Sequence, residues 1–376
     1  MTTEDGDLQA DAWAEELRDR TAEILDRKRS SVAGRETTLS AYCRLLTRRY
    51  MRDELQGRTQ ELVVAMIRSV KAEDSEREAA YALKALGLTI VTDPSDTIYE
   101  LVYQAFQRAI MDSHSALIKS SAIHALGTAT FYGGAASSEV LNVMDFLREI
   151  IESDGLSVEA PDAANVVIAA LEQWAFLATQ LDDVEEISQD AMEAFVDQLD
   201  SSDAGVQIAA GENIALIFEK SYTEQEDDEV LDSSDDEDFQ ADAPPGGPKM
   251  VKRYDAYRRV DHLKHQLASL ASISSRRLSK RDKKSLHTSF ADILNSVEHP
   301  TRGPRYSNAL DQTTGRRYGS RMTVRVHRTG VMKIDKWWKL HRLQALRRIL
   351  GAGFVIHYER NEVIFDSLPI MISKDA

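Results

Sequence analysis

The sequence predicts a mainly α protein: an armadillo- or HEAT-like helical solenoid followed by a small basic α+β domain. Three observations predict it. Nearly every window of the first 222 residues carries apolar residues at helical spacing. Ala82-Leu83-Lys84-Ala85-Leu86-Gly87 recurs forty residues later as Ala122-Ile123-His124-Ala125-Leu126-Gly127, which is the period of two-helix solenoid repeats. The charge balance also reverses along the chain. Residues 1–248 hold 19 Lys and Arg against 51 Asp and Glu, a net of −32, whereas residues 249–376 hold 27 against 11, a net of +16.

The elements follow in order. Residues 1–33 hold an exposed helix over 9–29, marked by Leu17, Ile24 and Leu25. Residues 34–222 form the repeat domain. Tyr42, Leu45, Leu46 and Tyr50 mark its first helix, and Leu62, Val63, Met66, Ile67 and Val70 give the next one apolar stripe. Further helices are predicted near 74–92, 95–111, 114–131, 138–152, 160–180, 184–199 and 203–221. Asp93-Pro94 and Ala160-Pro161 read as helix starts, and Gly133-Gly134 and Asp154-Gly155 as stops. No alternating run in this body suggests a sheet. Looser echoes of the repeat occur at Ala169–Ala178 and Ala209–Phe218. A helix pair cannot bury its apolar face alone, so pairs stack. An irregular helical bundle is the plainer alternative.

Residues 223–248 form a linker. Eleven of the nineteen residues from Glu224 to Asp242 are acidic, and Pro244-Pro245-Gly246-Gly247-Pro248 follows. Such a segment has too little apolar surface to offset the entropy of ordering, so disorder is expected. Ser233 and Ser234, followed by four acids, resemble an acid-directed phosphorylation site.

Residues 249–376 form the basic domain. A helix is predicted over 249–271, then the cluster Arg276, Arg277, Lys280, Arg281, Lys283 and Lys284 running into a helix through Leu286, Phe290, Ile293, Leu294 and Val297. Residues 299–320 read as a polar loop. Met322, Val324 and Val326 alternate with polar residues as a half-buried strand. Ile334–Leu350 reads as a helix with Trp338, Leu343, Leu346 and Leu350 facing inward, ended by Gly351-Ala352-Gly353. Phe354–Tyr358 reads as a second short strand.

No active site emerges. The nine histidines are scattered, and His262 and His265 read as a surface pair without a third ligand. No phosphate loop and no Gly-x-Ser-x-Gly elbow occurs. Cys43, the sole cysteine, sits in a core pattern and rules out an internal disulfide framework. The acidic first residues do not read as a signal peptide. No apolar run is long enough to span a membrane. The residues call for no enzyme chemistry, cofactor, metal or small-molecule substrate. The basic cluster, together with Arg302, Arg305, Arg316, Arg317, Arg321 and Arg325, points to contact with phosphates, with Tyr306 and Tyr318 available to stack on unpaired bases. The cluster also reads as a nuclear import signal.

The residues carry a resemblance. From Glu36-Thr37-Thr38-Leu39-Ser40-Ala41-Tyr42 through Glu76-Arg77-Glu78-Ala79-Ala80 to about Tyr222, the body resembles the interferon-related developmental regulator family. The tail resembles it at Ser289–Leu294, Ile334-Asp335-Lys336-Trp337, Leu350-Gly351-Ala352-Gly353, His357 and Asn361-Glu362. The resemblance implies a non-enzymatic regulator of nucleus and cytoplasm with an armadillo-like body. It implies association with ribosomes and translation or, alternatively, with histone deacetylase co-repressor complexes. The preferred expectation is a ribosome-bound regulator whose basic tail contacts rRNA while the solenoid contacts proteins. The second is a nuclear scaffold.

Overall fold

The computed structural model describes residues 3–27, 30–226, 249–272, 280–310, 317–326 and 330–369. The helical period of the first half becomes α1 (Thr3–Leu25), α2 (Val32–Arg48), a single turn α3 (Arg52–Leu55), α4 (Thr59–Ala72), α5 (Glu76–Thr92), α6 (Ile98–Asp112), α7 (Ala116–Tyr132), α8 (Ser137–Glu152), α9 (Ala164–Ala178), α10 (Glu185–Gln198) and α11 (Ala204–Lys220). The forty-residue repeat recurs in the fold. Helices α5 and α7 are each 17 residues long and are capped alike. Ser75 accepts the Glu78 N–H at 3.0 Å, and Ser115 accepts that of Ile118 at 3.2 Å. Such caps satisfy donors that a helix start leaves orphaned, each for about 1 kcal/mol.

The chain divides into two compact units, one of Met1–Leu177 with Arg342–Pro369 and one holding Ala178–His341. In the first unit α2, α5 and α7 stack side by side, and α4 and α6 pack on them as a second layer. This is the solenoid-like layout that the repeat predicts. Helix α1 is not the exposed element expected of residues 1–33. It lies across α2 and α4, burying Leu17, Thr21 and Ile24. An ion network around one buried carboxylate ties these layers together: Glu78, fully buried, takes Arg35 Nε at 2.8 Å and Arg27 Nη2 at 3.3 Å, and both arginines reach the exposed Asp74. Cys43 is a core residue whose thiol burial pushes up to about 12.

Phe354–Arg360 is a helix, α15, not a strand; it follows α14 (Trp337–Leu350) and precedes α16 (Glu362–Ser367). Phe354, His357 and Tyr358 are buried while Val355 and Ile356 are only partly so. That is a 3.6-residue period read in a run whose composition favours strands, a case of tertiary packing overriding β-propensity. His357 Nε2 donates to the Leu46 carbonyl at 2.7 Å, and Asn361 Nδ2 donates to Val91 at 2.7 Å. Both side chains bind the C-terminal segment to α2 and α5.

The second unit departs from expectation in three places. Residues 249–271 are not one helix. Met250–Lys252 (β2) pairs antiparallel with Tyr222–Glu224 (β1), a strand the body was not expected to contain. The helix, α12, covers only Val260–Ala271 and is followed by α13 (Lys280–Glu298). The polar loop of 299–320 contains a hairpin, β3 (Tyr306–Leu310) with β4 (Arg317–Ser320). The expected strand is Thr323–Arg325 (β5), paired with Val331–Lys333 (β6). Among the described residues all three sheets are two-stranded, so the class is mainly α as predicted.

Helix α14 begins at Trp337 rather than Ile334, and Trp337, not Trp338, is the buried ring. Its start is fixed from far away in sequence. The Glu219 carboxylate accepts the N–H of Trp337 at 2.7 Å and of Trp338 at 3.0 Å. Burial pushes the Glu219 carboxyl up, against the pull of Lys336 and these two N–H groups. Gly211 lets α11 and α13 meet closely: a Cβ there would stand 2.7 Å from Ile293 and 3.2 Å from Phe290. No helix of the described residues is long and apolar enough to cross a membrane.

Candidate functional site

The candidate site is the pair of hairpins β3–β4 and β5–β6 in the second unit. Residues 302–333 hold seven Arg and one Lys against one Asp. Alternation decides which of them face water, because successive strand residues point to opposite faces. Val324 and Met332 are buried opposite each other, which leaves Thr323, Arg325 and Lys333 on the outer face. Arg305, Arg317, Tyr318 and Arg321 are exposed on the neighbouring hairpin.

Backbone bonds extend the ladder of each hairpin by one pair. Arg321 N donates to Arg305 O at 3.1 Å and Ile334 N to Met322 O at 2.9 Å. Ser320 is buried between the carbonyls of Pro304 and Ile334. Gly303 is needed because a Cβ there would fall on the Asp335 carbonyl. The outcome is an arginine-rich surface on hydrogen-bonded strands. One aromatic ring lies within it, with Arg321 4.8 Å over Tyr318; a second stack, Arg302 5.0 Å over Tyr306, lies below it. Lys333 completes the set; a Cβ on Gly319 would meet its ammonium at 3.7 Å.

The sequence-predicted residues fare differently. Arg305, Arg317, Arg321 and Arg325 reach water from these hairpins. Arg302 does not: it is buried, stacks on Tyr306 and donates to Asn295 Oδ1 at 2.9 Å, so it supports the fold from within. Tyr306 is half-buried beneath it, which leaves Tyr318 as the exposed ring. Of the other cluster, Arg281 and Lys284 are exposed and Lys283 is half-exposed on α13. Arg276, Arg277, Arg316, Ser233 and Ser234 lie outside the described residues, as do the side chain of Lys280 and the stretch 227–248 expected to be disordered. Sequence reasoning missed Lys333. Its signal was the alternation of Val331, Met332 and Lys333, which is too short to read until β5 supplies the partner.

Chemically, guanidinium groups on a rigid surface can pair bidentately with phosphates, and an exposed tyrosine can stack on a base. Among the described residues no group of three or more His, Cys, Asp or Glu could hold a metal ion.

The sequence pattern of interferon-related developmental regulators matches residues 1–298. An uncharacterised protein of Schizosaccharomyces pombe is 25% identical over 354 residues, covering 94% of this chain and 73% of that one. Interferon-related developmental regulator 1 of Sus scrofa is 22% identical, covering 89% of this chain and 67% of its own. Interferon-related developmental regulator 2 of Mus musculus is 24% identical, with 89% and 69% covered. The motifs that carry the likeness in the tail are packing residues here: Phe290 and Ile293 against Gly211, Trp337 over the Glu219 cap, and Gly353 against Thr47. On a match spanning most of the sequence, together with the mainly helical fold, the chain belongs to the interferon-related developmental regulator family.

Proposed function

We propose that this member of a regulator family acts by binding rather than catalysis, docking on ribosomes through its arginine hairpins and so regulating translation in the cytoplasm, with a further nuclear pool. The observation that carries this reading is the set of exposed cations on the two hairpins, Arg305, Arg317, Arg321, Arg325 and Lys333, with the exposed Tyr318 beneath Arg321, in a chain whose net charge is −16. The acidic body repels nucleic acid, so docking on RNA is oriented by the hairpins. The helical body supplies surface for ribosomal proteins.

The test is sedimentation of cell lysate through sucrose at physiological and high salt, with the wild-type chain and an R317E/R321E/R325E variant. The wild type should co-migrate with ribosomal particles and leave them as salt rises, because each phosphate contact contributes about 0.7–0.9 to the salt slope. The variant should stay in light fractions at both salts. A variant that co-migrates like the wild type would remove the hairpins from the interaction. Wild type confined to light fractions, in starved and growing cells alike, would favour a nuclear scaffold role.

A further inference from the structure

The first unit carries a groove that the hairpin surface does not explain. It lies between α5, α7 and the end of α14, encloses about 500 Å³, and has Leu83, Leu117, Ala125 and Ile349 among its apolar walls. Leu117 is 45% exposed, a large apolar side chain left open to water at the groove edge. Gly87 lines it too, and a Cβ there would meet nothing within 4 Å, so the floor is open rather than filled.

Its charge is anomalous. Residues 1–177 and 342–369 hold 22 Lys and Arg against 32 Asp and Glu. Yet the groove is lined by Arg77, Lys84 and Arg348 and by no carboxylate. Glu172 stands behind the lining, 2.8 Å from Arg348. His124, also in the lining, adds no charge of either sign. Its Nδ1 accepts from Gln173 Nε2 at 3.0 Å, and burial beside Arg348 holds its pKa well below the usual imidazole range. Lys84 and Arg77 are exposed, with Arg77 only 3.9 Å from Glu36 at its nearest ion pair. A basic rim over an apolar floor, set in an acidic unit, is complementary to one kind of ligand.

We infer that this groove is a docking site for an acidic peptide segment of a partner protein, one that seats an aliphatic side chain against Leu83, Leu117 and Ile349 while its carboxylates pair with Arg77 and Lys84. The stacked helices hold the groove rigid, so the peptide alone bears the ordering cost.

Fluorescence anisotropy tests this with the full-length chain and a labelled acidic peptide carrying two leucines three residues apart, with its Asn/Gln counterpart as control. The acidic peptide should bind with a Kd that rises with salt, and the neutral peptide at least tenfold more weakly. Lys84→Glu and Leu117→Ser should each weaken binding about tenfold or more. Both positions are exposed, so circular dichroism should be unchanged. Equal binding of the two peptides would overturn the proposal, as would Lys84→Glu with unaltered affinity. So would loss of binding in R317E/R321E/R325E alone, which would assign the peptide to the hairpins. A variant with the acids of 224–242 changed to Asn and Gln is the last arm. If only that variant binds, the groove serves this chain's own acidic stretch and not a partner.

Discussion

Glu219→Ala should unfasten the start of α14. Both oxygens of this buried carboxylate accept backbone N–H groups, those of Trp337 and Trp338, at 2.7 and 3.0 Å. A hydrogen bond to a charged group contributes about 1.5–3 kcal/mol, and a donor left buried without a partner incurs its own desolvation cost. Two such bonds give a gross figure of about 3–6 kcal/mol. The carboxylate is itself buried, and that burial pushes its pKa up, so part of the gain is offset by desolvation of the charge. The net loss should lie at the lower end, about 3 kcal/mol. Glu219→Gln keeps the shape and one acceptor but turns an NH2 toward one N–H, so about half that loss is expected. The assay is peptide-resolved hydrogen exchange over Trp337–Leu340 combined with urea unfolding. A loss of about 3 kcal/mol accelerates exchange through opening by roughly a hundredfold. Exchange within threefold of wild type in Glu219→Ala would refute the reasoning, since the remote cap would then hold nothing.

Gly353→Ala places a methyl on the Thr47 carbonyl oxygen, a backbone atom that cannot swing aside; a loss of about 3 kcal/mol or more in urea unfolding is expected, at the upper end of overpacking effects. Glu78→Gln leaves Arg27 and Arg35 facing a neutral amide in a site where Glu78 is fully buried, and should lower stability by about 3 kcal/mol, measured by the same titration. Glu78→Gln combined with Arg35→Met should recover part of it. His357 is held neutral because burial lowers its pKa. A depressed pKa means stability is full above the unfolded value of about 6.5 and is lost as pH falls through the folded value. Thermal unfolding should therefore weaken from pH 7 to pH 5, and His357→Gln should flatten that slope. An unchanged slope would show that His357 is protonated without cost.

The helical body was legible because its signals are local. Apolar spacing and a motif that recurs after forty residues act within one helix or between adjacent ones, so α5 and α7 fall where the sequence puts them. The charge reversal was legible too, since it needs only counting. The errors cluster where distant partners decide. Phe354–Tyr358 has strand composition, but packing on α2 and the close approach of Gly353 to Thr47 select a helix. β1 and β2 are each three residues long and exist only because they pair with each other. Arg302 and Arg305 look alike in sequence, but one lies beneath the hairpin and one outside it.

The sequence by itself therefore determined the class, the repeat and the sign of each region's charge. Only the tertiary structure decided which arginines face water, that Glu219 caps a helix 118 residues away, and that three cations without a carboxylate line a groove in an acidic unit. Helical period and net charge are sums over neighbours in the chain. Burial, caps from remote side chains and surface complementarity are relations between residues that only folding brings together.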